Sequence, residues 1–246
     1  MFYGRLASFV AALALAVTVT ATAFATGSNS VFPTDQRNTK QKKGQVSEPL
    51  NLAILVQDDL ISQVANELDV TRDFIRSLPN GSRVMVGYIT TGTLQVRQPF
   101  TNDLDRAARS LRVPLSSTSA SPFNPYVEVI EALRNFNADG QGRNAILLIS
   151  DGLDTSRGFD ITSSGHTLDL ERAIKQANDR NVAVYAFYAP GVGLTSRSRL
   201  AASYGQSSLN RLANDTGGKA FFQGTAGFVT FDSYFERLRR TLNEPS

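Results

Sequence analysis

Hydrophobic residues alternate along the chain between short unbroken runs and helically spaced sets. Leu52, Ala53, Ile54, Leu55 and Val56 form a continuous apolar run, as a strand buried on both faces requires. Leu60, Val64, Leu68 and Ile75 follow near helical spacing, and Leu78-Pro79-Asn80-Gly81 ends that segment. Arg83 to Ile89 reads as a second strand and Thr93 to Arg97 as a third; the Thr91-Gly92 turn between them makes an edge hairpin. Asp103 to Leu111 is a short helix, and Val127, Ile130 and Leu133 mark another. A buried strand at Ala145 to Ile149 runs into Ser150-Asp151-Gly152. Leu170, Ala173, Ile174 and Ala177 then line a helix face, and Val182 to Phe187 is the next strand. A helix carrying Leu209, Leu212 and Ala213 stops at Thr216-Gly217-Gly218, where glycine can take the left-handed cap. A final strand at Ala220 to Phe222 precedes a closing helix with Phe235, Leu238 and Leu242.

Strands alternating with helices predict an α/β fold: a doubly wound, mostly parallel sheet with one antiparallel edge hairpin. In such sheets ligands bind beyond the carboxyl ends of the strands. The segments after Val56, before Pro122 and after Ile149 are therefore the candidate site, and the polar stretch Pro190 to Gln206 should rise beside them. Arg197, Arg199 and Tyr204 in that stretch are candidate partner-contact residues, being of types enriched at interfaces.

The first 48 residues lack this pattern. Residues 1–25 read as a signal peptide: Arg5 is the basic flank, Leu6 to Val19 is almost wholly apolar, and Ala23-Phe24-Ala25 is a small-x-small cleavage pattern. An uncleaved anchor is the alternative. Residues 26–48 are polar, with Arg37, Lys40, Lys42 and Lys43 clustered, and read as a linker. The domain then spans 49–244. The expected location is secreted or periplasmic, with no membrane span after the leader is removed.

Composition narrows the chemistry. The 246 residues include no cysteine, which excludes disulfides, thiolate metal sites, a cysteine nucleophile and a lipid-bearing cysteine. A net charge of +3 gives no argument for nucleic acid. The single histidine, His166, lies in a Gly/Ser-rich stretch with no partner in sequence, and no Gly-x-Ser-x-Gly elbow exists. Gly217-Gly218-Lys219 lacks the spacing of a phosphate loop. Metal-assisted hydrolysis with Asp58 or Asp59 attacking would need more acids and a cation near Asp151; Asp154 and Arg157 are the only ones close in sequence. The chain reads as a non-enzyme.

Four segments carry a family resemblance: Asn51 to Val56 leading into an acidic loop, Ala120 to Phe123, Leu147 to Gly152, and Leu209 to Gly218. In this order and spacing, over about residues 50–243, the chain resembles the von Willebrand factor A family, most of all the exported type found in Acidobacteria. The resemblance implies a protein-binding domain with a magnesium-dependent adhesion site: Asp-x-Ser-x-Ser after the first strand, a Thr in a later loop, and an Asp after the fourth strand. Hydroxyls and few carboxylates leave such an ion under-neutralised, so a partner's carboxylate can complete its shell. This chain departs from the motif. Without gaps it falls on Gln57-Asp58-Asp59-Leu60-Ile61; a one-residue bulge at the strand end would instead give Asp58-Asp59-Leu60-Ile61-Ser62. The implied metal ligands are Asp58, Asp59, Ser62, Ser121 in the Thr position, and Asp151. Either Mg2+ binds there, or the domain docks its protein partner without metal.

Overall fold

The computed structural model describes residues 48–116, 123–136, 142–156, 158, 168–223 and 230–243. The leader, residues 26–47 of the linker, Ser121, Arg157 and His166 lie outside the described residues. Six strands form one sheet in the order β3-β2-β1-β4-β5-β6. They are β1 (Leu50–Gln57), β2 (Arg83–Thr90), β3 (Thr93–Thr101), β4 (Arg143–Ser150), β5 (Val182–Tyr188) and β6 (Ala220–Phe221). All neighbours are parallel except β2 and β3, which pair antiparallel at the edge. The sheet grows from β1 outward in both directions, so the switch in strand order lies between the carboxyl ends of β1 and β4.

Burial on both faces explains the unbroken apolar runs. Every residue of β1 is buried, and its side chains split by parity. Leu52, Ile54 and Val56 pack with Phe74, Ala107, Phe235 and Leu238, from the helices α1 (Leu68–Arg76), α2 (Leu104–Ser110) and α7 (Asp232–Asn243). Ala53 and Leu55 pack with Tyr126, Val129, Leu170, Ala173, Leu209 and Leu212. Those residues come from α3 (Pro125–Leu133), α4 (Leu168–Asp179) and α6 (Arg199–Asp215). An aromatic group ties the far edge to α7: the Phe187 ring lies 4.8 Å from Phe235, 5.2 Å from Tyr234 and 5.4 Å from both Phe221 and Phe231. Among the described residues no helix is long and apolar enough to cross a membrane.

Two segments differ from the sequence reading. The helix expected from Leu60 begins later, because Ser62–Glu67 is 3-10 and α1 starts only at Leu68. The stretch Pro190 to Gln206 is mostly helix, not loop: α5 (Leu194–Arg197) is one turn, and α6 starts at Arg199. Ser198 caps α6, its side chain accepting from the Ala201 N–H at 3.2 Å. The apolar face of this turn was hidden because it is built from small residues: Ala201, Ala202 and Gly205 are buried alongside Leu209 and Leu212.

Smallness has a geometric reason. Gly152 has a φ of 73°, a backbone that side chains disfavour, and a Cβ there would lie 2.4 Å from the Gly205 carbonyl oxygen. A Cβ on Gly205 would lie 1.9 Å from the Asp151 carbonyl oxygen. Helix α6 thus rests backbone-to-backbone on the turn that carries Asp151. Gly205→Ala should lower unfolding stability by about 3 kcal/mol in urea denaturation, through overpacking that only backbone movement can relieve. Ser203→Ala, exposed on the same helix, should change it by less than about 0.5 kcal/mol. Equal effects would refute the close contact.

Candidate functional site

Three strand ends and two loops converge at the switch point. β1 pairs without slip with β2 up to Gln57–Ile89 and with β4 up to Val56–Ile149. No bulge shifts the motif, so the ungapped alignment holds and Gln57 stands in the first acidic position.

The Gln57 carboxamide is buried, 1% exposed, and bonded on both sides. Its Oε1 accepts from Ser150 Oγ at 2.5 Å and from the Asp151 backbone N–H at 3.3 Å. Ser150 Oγ itself accepts from the Gly152 N–H at 2.9 Å, so its proton points to Gln57. A backbone N–H can only donate, which fixes the oxygen of the amide toward β4 and its nitrogen the other way. Nε2 then donates to Asp59 Oδ1 at 2.6 Å and to Asp151 Oδ1 at 3.1 Å. Asp151 also accepts from the Leu153 N–H at 3.1 Å and from Thr195 Oγ1 at 3.0 Å.

Asp58 faces elsewhere. Arg112 grips it with two nitrogens at 2.6 and 2.8 Å, and the Leu115 N–H adds a bond at 2.9 Å. The guanidinium lies over the Tyr88 ring at 4.0 Å. The Tyr88 hydroxyl donates to the Arg112 carbonyl and accepts from its N–H, each at 2.7 Å. Asp58 therefore fastens residues 112–115 to the sheet and does not join Asp151. Ser62 is exposed at the start of the 3-10 turn and enters none of these bonds.

Of the five expected metal ligands, the described structure brings together Asp59 and Asp151 alone, through the nitrogen of Gln57. A divalent cation needs converging oxygen lone pairs, and the point between these carboxylates is filled by N–H donors. Among the described residues no group of three or more His, Asp or Glu side chains is arranged to hold a metal ion. The described residues at this point, with Gln57 and its N–H donors between the acids, do not fit the adhesion ion. Sequence reasoning treated Gln57 as a lost ligand; it missed Thr195 and Arg112, whose partners lie 44 and 54 residues away.

No protein-family model matches the sequence, and no curated protein matches it. Solved structures do share its architecture. A conserved hypothetical protein, BatB from Bacteroides thetaiotaomicron, superposes at TM-score 0.52 with 17% identity, over 78% of this chain and 97% of that one. A von Willebrand factor type A protein from Catenulispora acidiphila gives 0.55 with 16% identity, over 79% of this chain and 43% of that one. The chain has a von Willebrand factor A-type fold. An aerotolerance-related membrane protein from Bacteroides fragilis gives 0.50 with 15% identity, over 78% and 98%. At these identities the likeness of the A-type domain to its neighbours is one of fold.

Two measurements probe this electrostatic arrangement. Asp58 is 5% exposed, so removing Arg112 leaves a buried charge unpaired. Arg112→Ala should cost about 3 kcal/mol in urea unfolding, and Arg112→Lys should recover less than half, since one ammonium cannot make the paired, stacked contact. A loss under about 1 kcal/mol would place the pair among ordinary surface ion pairs.

Burial, and then the charge of Asp59, raise the Asp151 pKa from 3.8 to about 6. Burial also raises that of Asp59. An acid whose pKa rises on folding holds its proton more tightly when folded. Its contribution to stability therefore falls as pH climbs from 3.8 to about 6, and is level above. Asp151→Asn keeps the shape without the charge. Its stability relative to wild type should increase by on the order of 2 kcal/mol between pH 4 and pH 7. A constant difference across that range would exclude a buried, titrating Asp151.

Proposed function

We propose that this A-type domain is an extracytoplasmic protein-interaction module that binds its partner through the loops at the carboxyl end of the sheet, and that it catalyses no reaction. The reading is carried by one surface. Arg197 and Arg199 are exposed, and neither side chain has an ion-pair or hydrogen-bond partner among the described residues. They lie between Leu194, 43% exposed, and Leu200, 49% exposed. Val113 and Leu115, 51% and 72% exposed, sit on the segment that Asp58 and Arg112 fasten.

Hydrogen bonds lay these segments side by side. Ser116 Oγ donates to the Leu60 carbonyl at 2.7 Å, and Leu60 bridges to Gly191. Exposed guanidinium groups among exposed aliphatic side chains suit a partner segment that mixes carboxylates with apolar residues. Tyr204 was expected to share this surface, but it is half-buried on α6 and is a weaker contact candidate. Export is supported by the leader pattern of residues 1–25. The non-catalytic reading is supported by the engagement of both loop acids, Asp58 by Arg112 and Asp59 by Gln57.

Affinity capture from the native cell envelope tests the proposal. The wild-type chain should retain a partner that the folded triple variant Leu194→Ser, Arg197→Glu, Arg199→Glu recovers at least tenfold less well. Equal recovery by both would move the contact surface away from this face.

A further inference from the structure

We propose that the Gln57 carboxamide is this domain's built-in replacement for a bridging cation, so that the carboxyl-end loops are locked in position without metal. Two carboxylates approach one point at the end of β1: Asp151 is 6% exposed and Asp59 half-buried. Something positive must stand between them. The two N–H groups of Nε2 do so, one toward each carboxylate, at 2.6 and 3.1 Å. The amide cannot turn over, because the Asp151 backbone N–H and the Ser150 hydroxyl both need its oxygen. A reversed amide would face an N–H with an NH2 on one side and two carboxylates with an oxygen on the other.

The lock reaches the surface loops through both acids. Asp59 also offers its carbonyl to the Val192 N–H at 2.8 Å, and the Ile61 N–H donates to the Pro190 carbonyl at 3.0 Å. These two bonds flank the Leu60–Gly191 bridge and zip the loop after β1 to the loop after β5. On the other acid, Asp151 Oδ2 holds Thr195 Oγ1, which accepts from the Gly191 N–H at 2.7 Å. The segment 190–195 is thereby drawn down over Asp151, and a partner's carboxylate has no coordination site to complete there. Position 57 is the element that decides between ion and amide. An acid in its place would remove both N–H donors and gather three carboxylates beside the hydroxyls of Ser150 and Thr195, an oxygen set suited to Mg2+ or Mn2+.

The test uses the purified full chain and the metals alone, so it can fail independently of any partner. Wild type should melt within ~1 °C of the same temperature in EDTA and in millimolar MgCl2, MnCl2 or CaCl2, and show no saturable heat on titration with these ions. Gln57→Asp should melt lower in EDTA and regain at least ~5 °C on adding Mg2+ or Mn2+. Saturable binding by wild type, destabilisation of wild type by EDTA, or a folded Gln57→Asp indifferent to metal would each overturn the proposal. If Gln57→Asp does not fold, the wild-type side-chain amide decides. In 15N-labelled protein its two protons should be protected from solvent exchange and unmoved by Mg2+; rapid exchange or a metal-dependent shift overturns the lock.

Discussion

Two carboxylates at one buried strand end repel each other, and the top of this domain is organised around how that repulsion is relieved. Water cannot do it, because Asp151 is almost fully enclosed. A single carboxamide does it from the adjacent strand, with its oxygen bonded to β4 and its nitrogen facing the two acids. Each acid then holds a further loop. If Gln57 were apolar, Asp59 and Asp151 would lose their shared donor, and the Leu60–Gly191 bridge would lose one of its supports. The amide is therefore as much a fastening for the surface as a feature of the strand.

That arrangement depends on tight backbone geometry beneath it. Asp151 occupies the end of β4 on a turn that Gly152 makes possible, and α6 closes on that turn with Gly205 in place of a side chain. The same helix brings Arg199 and Leu200 to the surface at its first turn. The close approach of α6 to the Asp151 turn and the position of Arg199 are thus tied to one packing contact. On the other side of β1, Asp58 performs the parallel task for residues 112–115 through Arg112 and Tyr88. Asp58 and Asp59 follow β1 in a turn and serve different loops, Asp58 through Arg112 and Leu115 and Asp59 through Gln57 and Val192.

Much of the fold was legible because its signals are local. Strands buried on both faces must be continuously apolar, and β1, β4 and β5 are; the edge pair showed itself by its turn at Thr91-Gly92. The start of α6 was not legible, because its face is written in Ala and Gly, which carry little hydrophobic periodicity but permit backbone contact. At the site, the acids were visible and their partners were not. Arg112 and Thr195 are joined to Asp58 and Asp151 across long stretches of chain, and no spacing rule connects them. The register at Gln57 was also undecidable from sequence, since a bulge and a straight strand read alike. Paired neighbours on both sides resolve it in favour of the straight strand.

Reading Gln57 as a gain and not only a loss changes how the surface should engage a partner. An adhesion ion concentrates recognition in one coordination bond to an incoming carboxylate, which makes binding sensitive to divalent ions. On the proposed reading, a locked loop pair with exposed Arg197 and Arg199 would spread recognition over guanidinium groups and exposed leucines. Guanidinium contacts to carboxylates weaken with ionic strength when exposed, whereas apolar contacts do not. Partner binding at this face should therefore respond to salt and ignore chelator, the reverse of the ion-centred arrangement that the acidic loop first suggests.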